Sequence, residues 1–93
     1  MNKKKILELL KSTFLELKKN NPNIKFQFNE SLIVKGRNSK FDSLDTVTFL
    51  LNYEKNFKKN FKKNIHILDE NFFNSNDNIN IKKLINFSLE FDE

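Results

Sequence analysis

Apolar residues recur early in the chain at Ile6, Leu10, Phe14 and Leu17, with Leu7 and Leu9 widening the stripe. That spacing predicts a helix over Lys3–Lys19 with one buried face. It stops at Asn20-Asn21-Pro22, where helix propensity falls and a backbone donor is lost. From Asn23 to Phe41 the helical period is absent: Ile24, Phe26 and Phe28 alternate with polar residues, Asn29-Glu30-Ser31 supplies turn residues, and Leu32-Ile33-Val34 is apolar and partly β-branched. Two readings fit, a short hairpin or a long loop pinned to the core by its apolar residues, and the loop is preferred. The helical period resumes after Asp42-Ser43 with Leu44, Val47, Leu50, Leu51, Phe57 and Phe61, and extends to about Asn60. Residues 56–63 write a four-residue unit twice, which adds about one helical turn and sets Phe57 and Phe61 on one face. Beyond a break near Asn64, Ile65, Ile67, Leu68 and the polar Asp69-Glu70 lead into a short helical turn carrying Phe72 and Phe73. After the polar stretch Asn74–Asn78, a last helix runs from Ile79 or Asn80 to Glu90, with Ile81, Leu84, Ile85 and Leu89 inward and Asp77 or Asn78 as its cap. The expected fold is all-α: three main helices and a short third one, with a long loop between the first and second.

Ninety-three residues allow one core, so residues 1–93 read as a single domain. The lack of cysteine excludes a disulfide framework and a thiolate metal site, and a lone histidine, His66, argues against a zinc site or a Ser-His-Asp triad. No pair of titratable residues at catalytic spacing emerges, and an enzyme is not expected. The net charge of +5 first suggests an anionic partner such as nucleic acid. Position changes that picture. Residues 1–41 hold ten basic and three acidic side chains, residues 42–57 one basic and three acidic, and residues 58–93 six of each. With sixteen Asn, sixteen Lys, one Arg and no Ala, the vocabulary is that of an AT-rich genome, and the scarcity of Arg weakens the nucleic-acid reading. Lys3-Lys4-Lys5 is followed by an apolar run broken by Glu8 and Lys11, unlike a signal peptide, and no stretch is long enough to span a membrane. A soluble, cytoplasmic monomer is expected.

One local pattern carries specific chemistry. Asp42 is a good N-cap, and Asp45 stands three residues on, as in a capping box, facing the positive end of the helix dipole. Asp42-Ser43-Leu44-Asp45 ahead of an apolar-periodic helix resembles the attachment motif of the acyl carrier proteins, a four-helix family, and the resemblance in helix order spans nearly the whole chain. It implies that Ser43, flanked by Asp42 and Leu44, is esterified with 4′-phosphopantetheine, whose thiol carries an acyl or aminoacyl thioester. Asp45 and Val47 fall where that family often has an acidic and an aliphatic residue. Lys40 stands where many members have glycine. The stretch Gly36, Ser39, Phe41, Asp42, Ser43, Leu44, followed by Ile67, Leu68, Asp69 and Glu70, is similar to a set of stand-alone carriers with a longer second helix. The partners so implied are a phosphopantetheinyl transferase using coenzyme A and Mg²⁺, a loading ligase, and a downstream acyltransferase or synthase, in fatty-acid or polyketide biosynthesis or another dedicated pathway. Asp42, Asp45, Glu54 and Val47 become candidate partner contacts.

Other features have plainer readings. Lys58, Lys59, Lys62 and Lys63 read as a solvated helix face, and the phenylalanines as core. Phe49, Phe72, Phe73 and Phe87 are candidates to line an acyl cavity, although eleven Phe and no Ala leave little room for a large one. The alternative function is a small basic helical module that binds nucleic acid or protein through its Lys-rich N-terminal half.

Overall fold

In the computed structural model, which describes residues 2–68 and 71–91, the chain forms helices α1 (Lys3–Asn20), α2 (Ser43–Phe61), α3 (Asn71–Ser75) and α4 (Ile81–Glu90). Two short strands, β1 (Ile33–Lys35) and β2 (Ile79–Asn80), pair antiparallel. None of the described helices is long and apolar enough to cross a membrane.

Each main helix is stopped or started by the residues its sequence supplies. Asn2, Asp42 and Asn80 cap α1, α2 and α4, each accepting the backbone N–H three residues on through its side chain. The cap of α4 is therefore Asn80, not Asp77 or Asn78. Lys62 ends α2 in the left-handed region at φ 60° and donates its N–H to the Lys58 carbonyl at 2.9 Å.

The core follows the periodicity for α1 and α4: Ile6, Leu10, Phe14 and Leu17 are buried, as are Ile81, Leu84 and Ile85. On α2 the buried face is Thr46, Phe49, Leu50, Tyr53 and Phe57, while Leu44, Val47 and Leu51 point outward. Phe14 lies at the centre of an aromatic cluster, 5.9 Å from Phe26, 5.7 Å from Phe28 and 6.2 Å from Phe41 between ring centroids. The long connection is thus nailed to α1 by phenylalanines, as the loop reading requires. Phe49 is wholly buried, and Phe72 stacks on Phe87 at 4.0 Å. Those rings fill space as packed neighbours.

The all-α expectation needs one correction. Neither a hairpin nor a free loop describes residues 33–35, which pair with residues 79–80 across an irregular register, Ile33 opposite Asn80 and Lys35 opposite Ile79. Upstream of the pairing, Leu32 and Glu30 offer their carbonyls at 3.0 Å to the N–H groups of Ile81 and Lys82. The connection therefore satisfies the first donors of α4, which an isolated helix would leave open. Of the quoted stretch Ile67–Glu70, Asp69 and Glu70 lie outside the described residues.

Gly36 leaves β1 at φ +136°, a conformation that L side chains rarely adopt. A Cβ there would run into the Asn78 side-chain oxygen and sit 3.2 Å from the Asp77 carbonyl oxygen. Gly36→Ala is accordingly expected to destabilise the fold by about 2–3 kcal/mol in urea unfolding, combining a disfavoured φ with a clash against the β2 side of the ladder.

Between α2 and α4, the Tyr53 hydroxyl and Ser88 Oγ share a buried hydrogen bond of 2.6 Å, and Ser88 Oγ donates to the Leu84 carbonyl at 2.7 Å. Burial raises the Tyr53 hydroxyl above its ordinary pKa of 10.0. The unfolded tyrosine loses its proton above pH 10 and the buried one keeps it, so folding there takes up a proton and stability falls. Tyr53→Phe is expected to cost about 1 kcal/mol at neutral pH. Above pH 10 the wild type loses stability relative to this variant by about 1.4 kcal/mol per pH unit, read from paired denaturation curves.

Candidate functional site

The residues singled out by the sequence converge on the start of α2. Asp42 is extended at φ −78°, ψ 174° and accepts the Asp45 N–H through Oδ1 at 2.7 Å, while its carbonyl accepts the Thr46 N–H at 3.0 Å. Ser43 is the first helical residue and is exposed. Its own N–H and that of Leu44 precede Thr46, the first to donate its N–H to an intrahelical carbonyl, and together they form the positive end of a 19-residue helix. Partial burial and the neighbouring Asp42 carboxylate push the Asp45 carboxyl up, against the pull of a hydrogen bond from the Asp42 backbone.

The platform under this turn is rigid. Thr46 is buried and donates its hydroxyl to the Val34 carbonyl at 2.5 Å, tying the first turn of α2 to β1. On the same connection, Ser39 Oγ donates to the Ile33 carbonyl at 2.8 Å and accepts the Phe41 N–H at 3.1 Å, setting the chain's approach to Asp42. An open cleft of about 430 Å³ touches Ser43, with Gly36, Ser39, Phe41, Val47 and Phe73 among its walls. Lys35 closes one side of it. Its ammonium donates to the carbonyls of Phe73 at 2.5 Å and Asn76 at 2.7 Å and lies 4.3 Å from the Phe73 ring centroid, which holds α3 against β1.

Beside Ser43 the helix presents apolar side chains to solvent: Leu44 is 73% exposed, Val47 38% and Leu51 45%. Residues at these spacings lie on successive turns of one face, so they form a continuous apolar strip that begins next to the serine. The apolar period of α2 groups Leu44, Val47 and Leu51 with Leu50 and Phe57, and the structure separates them, burying only the last two. The spacing Leu44, Val47, Leu51 was the available signal for a second, outward stripe.

Glu54, expected as a partner contact, is engaged within the chain. Its Oε2 accepts the backbone N–H groups of Ile67 at 2.8 Å and Leu68 at 3.1 Å, fastening the segment after α2 to the helix. Asp42, Ser43, Leu44, Asp45 and Val47 are brought together within the first turn and a half of α2, and Glu54 is not part of that group. No sequence signal marks the roles of Glu54 and Lys35, because each satisfies backbone groups far along the chain.

Compared with protein-family models, with curated proteins and with solved structures, the chain matches none of them.

Glu54→Ala is expected to cost about 1–2 kcal/mol, since two backbone donors lose a charged acceptor. Hydrogen exchange of the Ile67 and Leu68 amides should accelerate while that of Phe49 and Leu50 in α2 follows only the global loss of stability.

Proposed function

We propose that this chain is a carrier protein modified on Ser43 with 4′-phosphopantetheine, and that it delivers a thioester-bound acyl or aminoacyl group to partner enzymes. The observation that carries the reading is an exposed serine at the first position of a long helix, beside an exposed apolar strip. A carrier needs its attachment hydroxyl on a rigid element and reachable by other enzymes. Asp42 and Thr46 supply the rigidity, and the position outside the core supplies access.

The residues present fit the group. A phosphodiester on Ser43 Oγ would lie near the first-turn N–H groups and the positive helix end, which favour an anion. The cleft alongside, walled by Phe41, Val47 and Phe73, offers an apolar bed for an extended arm. When bound, the prosthetic group supplies the thiol, a functional group this cysteine-free chain lacks. The chain's own residues position and present: Asp42 holds the first turn, Lys35 holds the cleft wall, and Leu44, Val47 and Leu51 offer apolar contact to whichever enzyme takes the cargo. Asp42 and Asp45 add negative charge at the same end.

On this reading the four helices correspond to the carrier bundle, and the ladder of β1 and β2 is an addition that braces the connection ahead of Ser43. The basic balance and the 19-residue α2 favour a dedicated biosynthetic pathway over general fatty-acid synthesis.

The deciding experiment is incubation with coenzyme A, Mg²⁺ and a broad-specificity phosphopantetheinyl transferase, followed by intact-mass measurement. The wild type should gain one phosphopantetheinyl group and Ser43→Ala none. An unmodified wild type, or equal gain by the variant, refutes the assignment.

A further inference from the structure

The outward face of α2 does not end with Leu51. Continuing the same spacing, it carries Lys55 and Lys58, with Lys59 beside them and Lys62 just past its end at the C-cap, all exposed. At about 100° per residue Leu44, Val47, Leu51, Lys55 and Lys58 lie on one side of the helix, opposite the buried Thr46, Phe49, Leu50, Tyr53 and Phe57, and Lys62 follows them at its end. The face is therefore written in two halves along its axis, apolar from Leu44 to Leu51 and cationic from Lys55 to Lys62. From Val47 to Lys58 the rise is about 16 Å, within the footprint of one protein surface.

Among the described residues the cationic half has no ionic partner within 4.0 Å. Among the described residues the ion pair within 4.0 Å joins Lys3 and Glu30, at 3.5 Å, and none involves Lys55, Lys58, Lys59 or Lys62. The carboxylate adjoining them on the helix, Glu54, is held by the N–H groups of Ile67 and Leu68. Lys62 Nζ donates to the Lys59 carbonyl, at 3.3 Å. These lysines border an open depression of about 500 Å³ between their stems.

We infer that the outward face of α2 docks a protein partner whose surface carries an apolar hollow followed by a cluster of carboxylates. The carboxylates meet Lys55, Lys58 and Lys62, and the hollow takes Leu44, Val47 and Leu51. Charge complementarity selects an acidic occupant, and the apolar half selects a protein. A nucleic acid would use the lysines and leave three apolar side chains in water. On a membrane, an amphipathic helix places its cations along both edges of a central apolar stripe, whereas here cations and apolar residues follow one another end to end. The inference deepens the carrier reading and rests on it for the identity of the partner as an enzyme that approaches Ser43.

The test uses the full chain labelled with ¹⁵N and two synthetic helical peptides. Both carry leucines along the first half of one face; the second half of that face bears glutamates in one peptide and lysines in the other. The glutamate peptide should shift the resonances of residues 44–62, and Lys55→Glu/Lys58→Glu/Lys62→Glu should weaken its binding by about tenfold with helicity unchanged. Equal binding of the two peptides, binding of neither, or shifts concentrated away from α2 would overturn the inference. So would tighter binding of duplex DNA or of phosphatidylserine vesicles than of the glutamate peptide at physiological ionic strength. Ser43→Ala should keep the peptide contact, so failure of Ser43 to accept the prosthetic group refutes the carrier reading without touching this result.

Discussion

The buried hydrogen bond from the Thr46 hydroxyl to the Val34 carbonyl is the constraint on which the arrangement around Ser43 depends. Val34 is fully buried at the centre of a three-residue strand, and β1 pairs with β2 immediately before α4 begins. Through Thr46 the first turn of α2 is fixed to a ladder that is itself fixed to α4. A threonine at this position of a free helix would bond its own turn or water. Here it reaches across to another element, so the turn that bears Ser43 cannot rotate without exposing a carbonyl in the core. The exposure of Ser43, Leu44 and Val47 is in this sense a product of the burial of Thr46.

A second set of bonds works on the same connection. The carbonyls of Glu30 and Leu32 take N–H groups of α4, Ser39 bonds Ile33, and Lys35 bonds the carbonyls of Phe73 and Asn76. Each captures a backbone group that would otherwise be left open at an element end. A connection of more than 20 residues between α1 and α2 would carry a large ordering cost if it merely lay on the surface. Phe26, Phe28 and Phe41 offset part of it by packing on Phe14, and the polar bonds give it one conformation.

Much of this was legible in the chain itself. Asp42 with Asp45, and the apolar period in α1, α2 and α4, are local patterns with local causes, and the structure bears out their helices to within a residue or two. The ladder was not legible, because strands of three and two residues show no period and their partners are more than 40 residues apart. The inward and outward faces of α2 were only half legible. Helical spacing identifies two apolar stripes on that helix, and which one is buried is decided by the neighbours that Thr46, Phe49 and Tyr53 meet. Glu54 could be read as a free carboxylate because its acceptors' partners, two backbone N–H groups, have no side-chain signature.

The charges of α2 also bear on how its face is to be understood. Asp42 and Asp45 at the start and Lys58 and Lys59 near the end all complement the helix macrodipole, so helix stability alone accounts for them in part. That effect fades within the first and last turns. Lys55 lies six residues before the end of α2, outside that range, and forms no ion pair within 4.0 Å among the described residues. Solubility alone does not require it to align with Lys58 and Lys62, since any exposed position would serve. The alignment continues the strip of Leu44, Val47 and Leu51 along α2 to its C-cap, and a surface patterned lengthwise in this way matches a partner approaching along the axis of α2 from the Ser43 end.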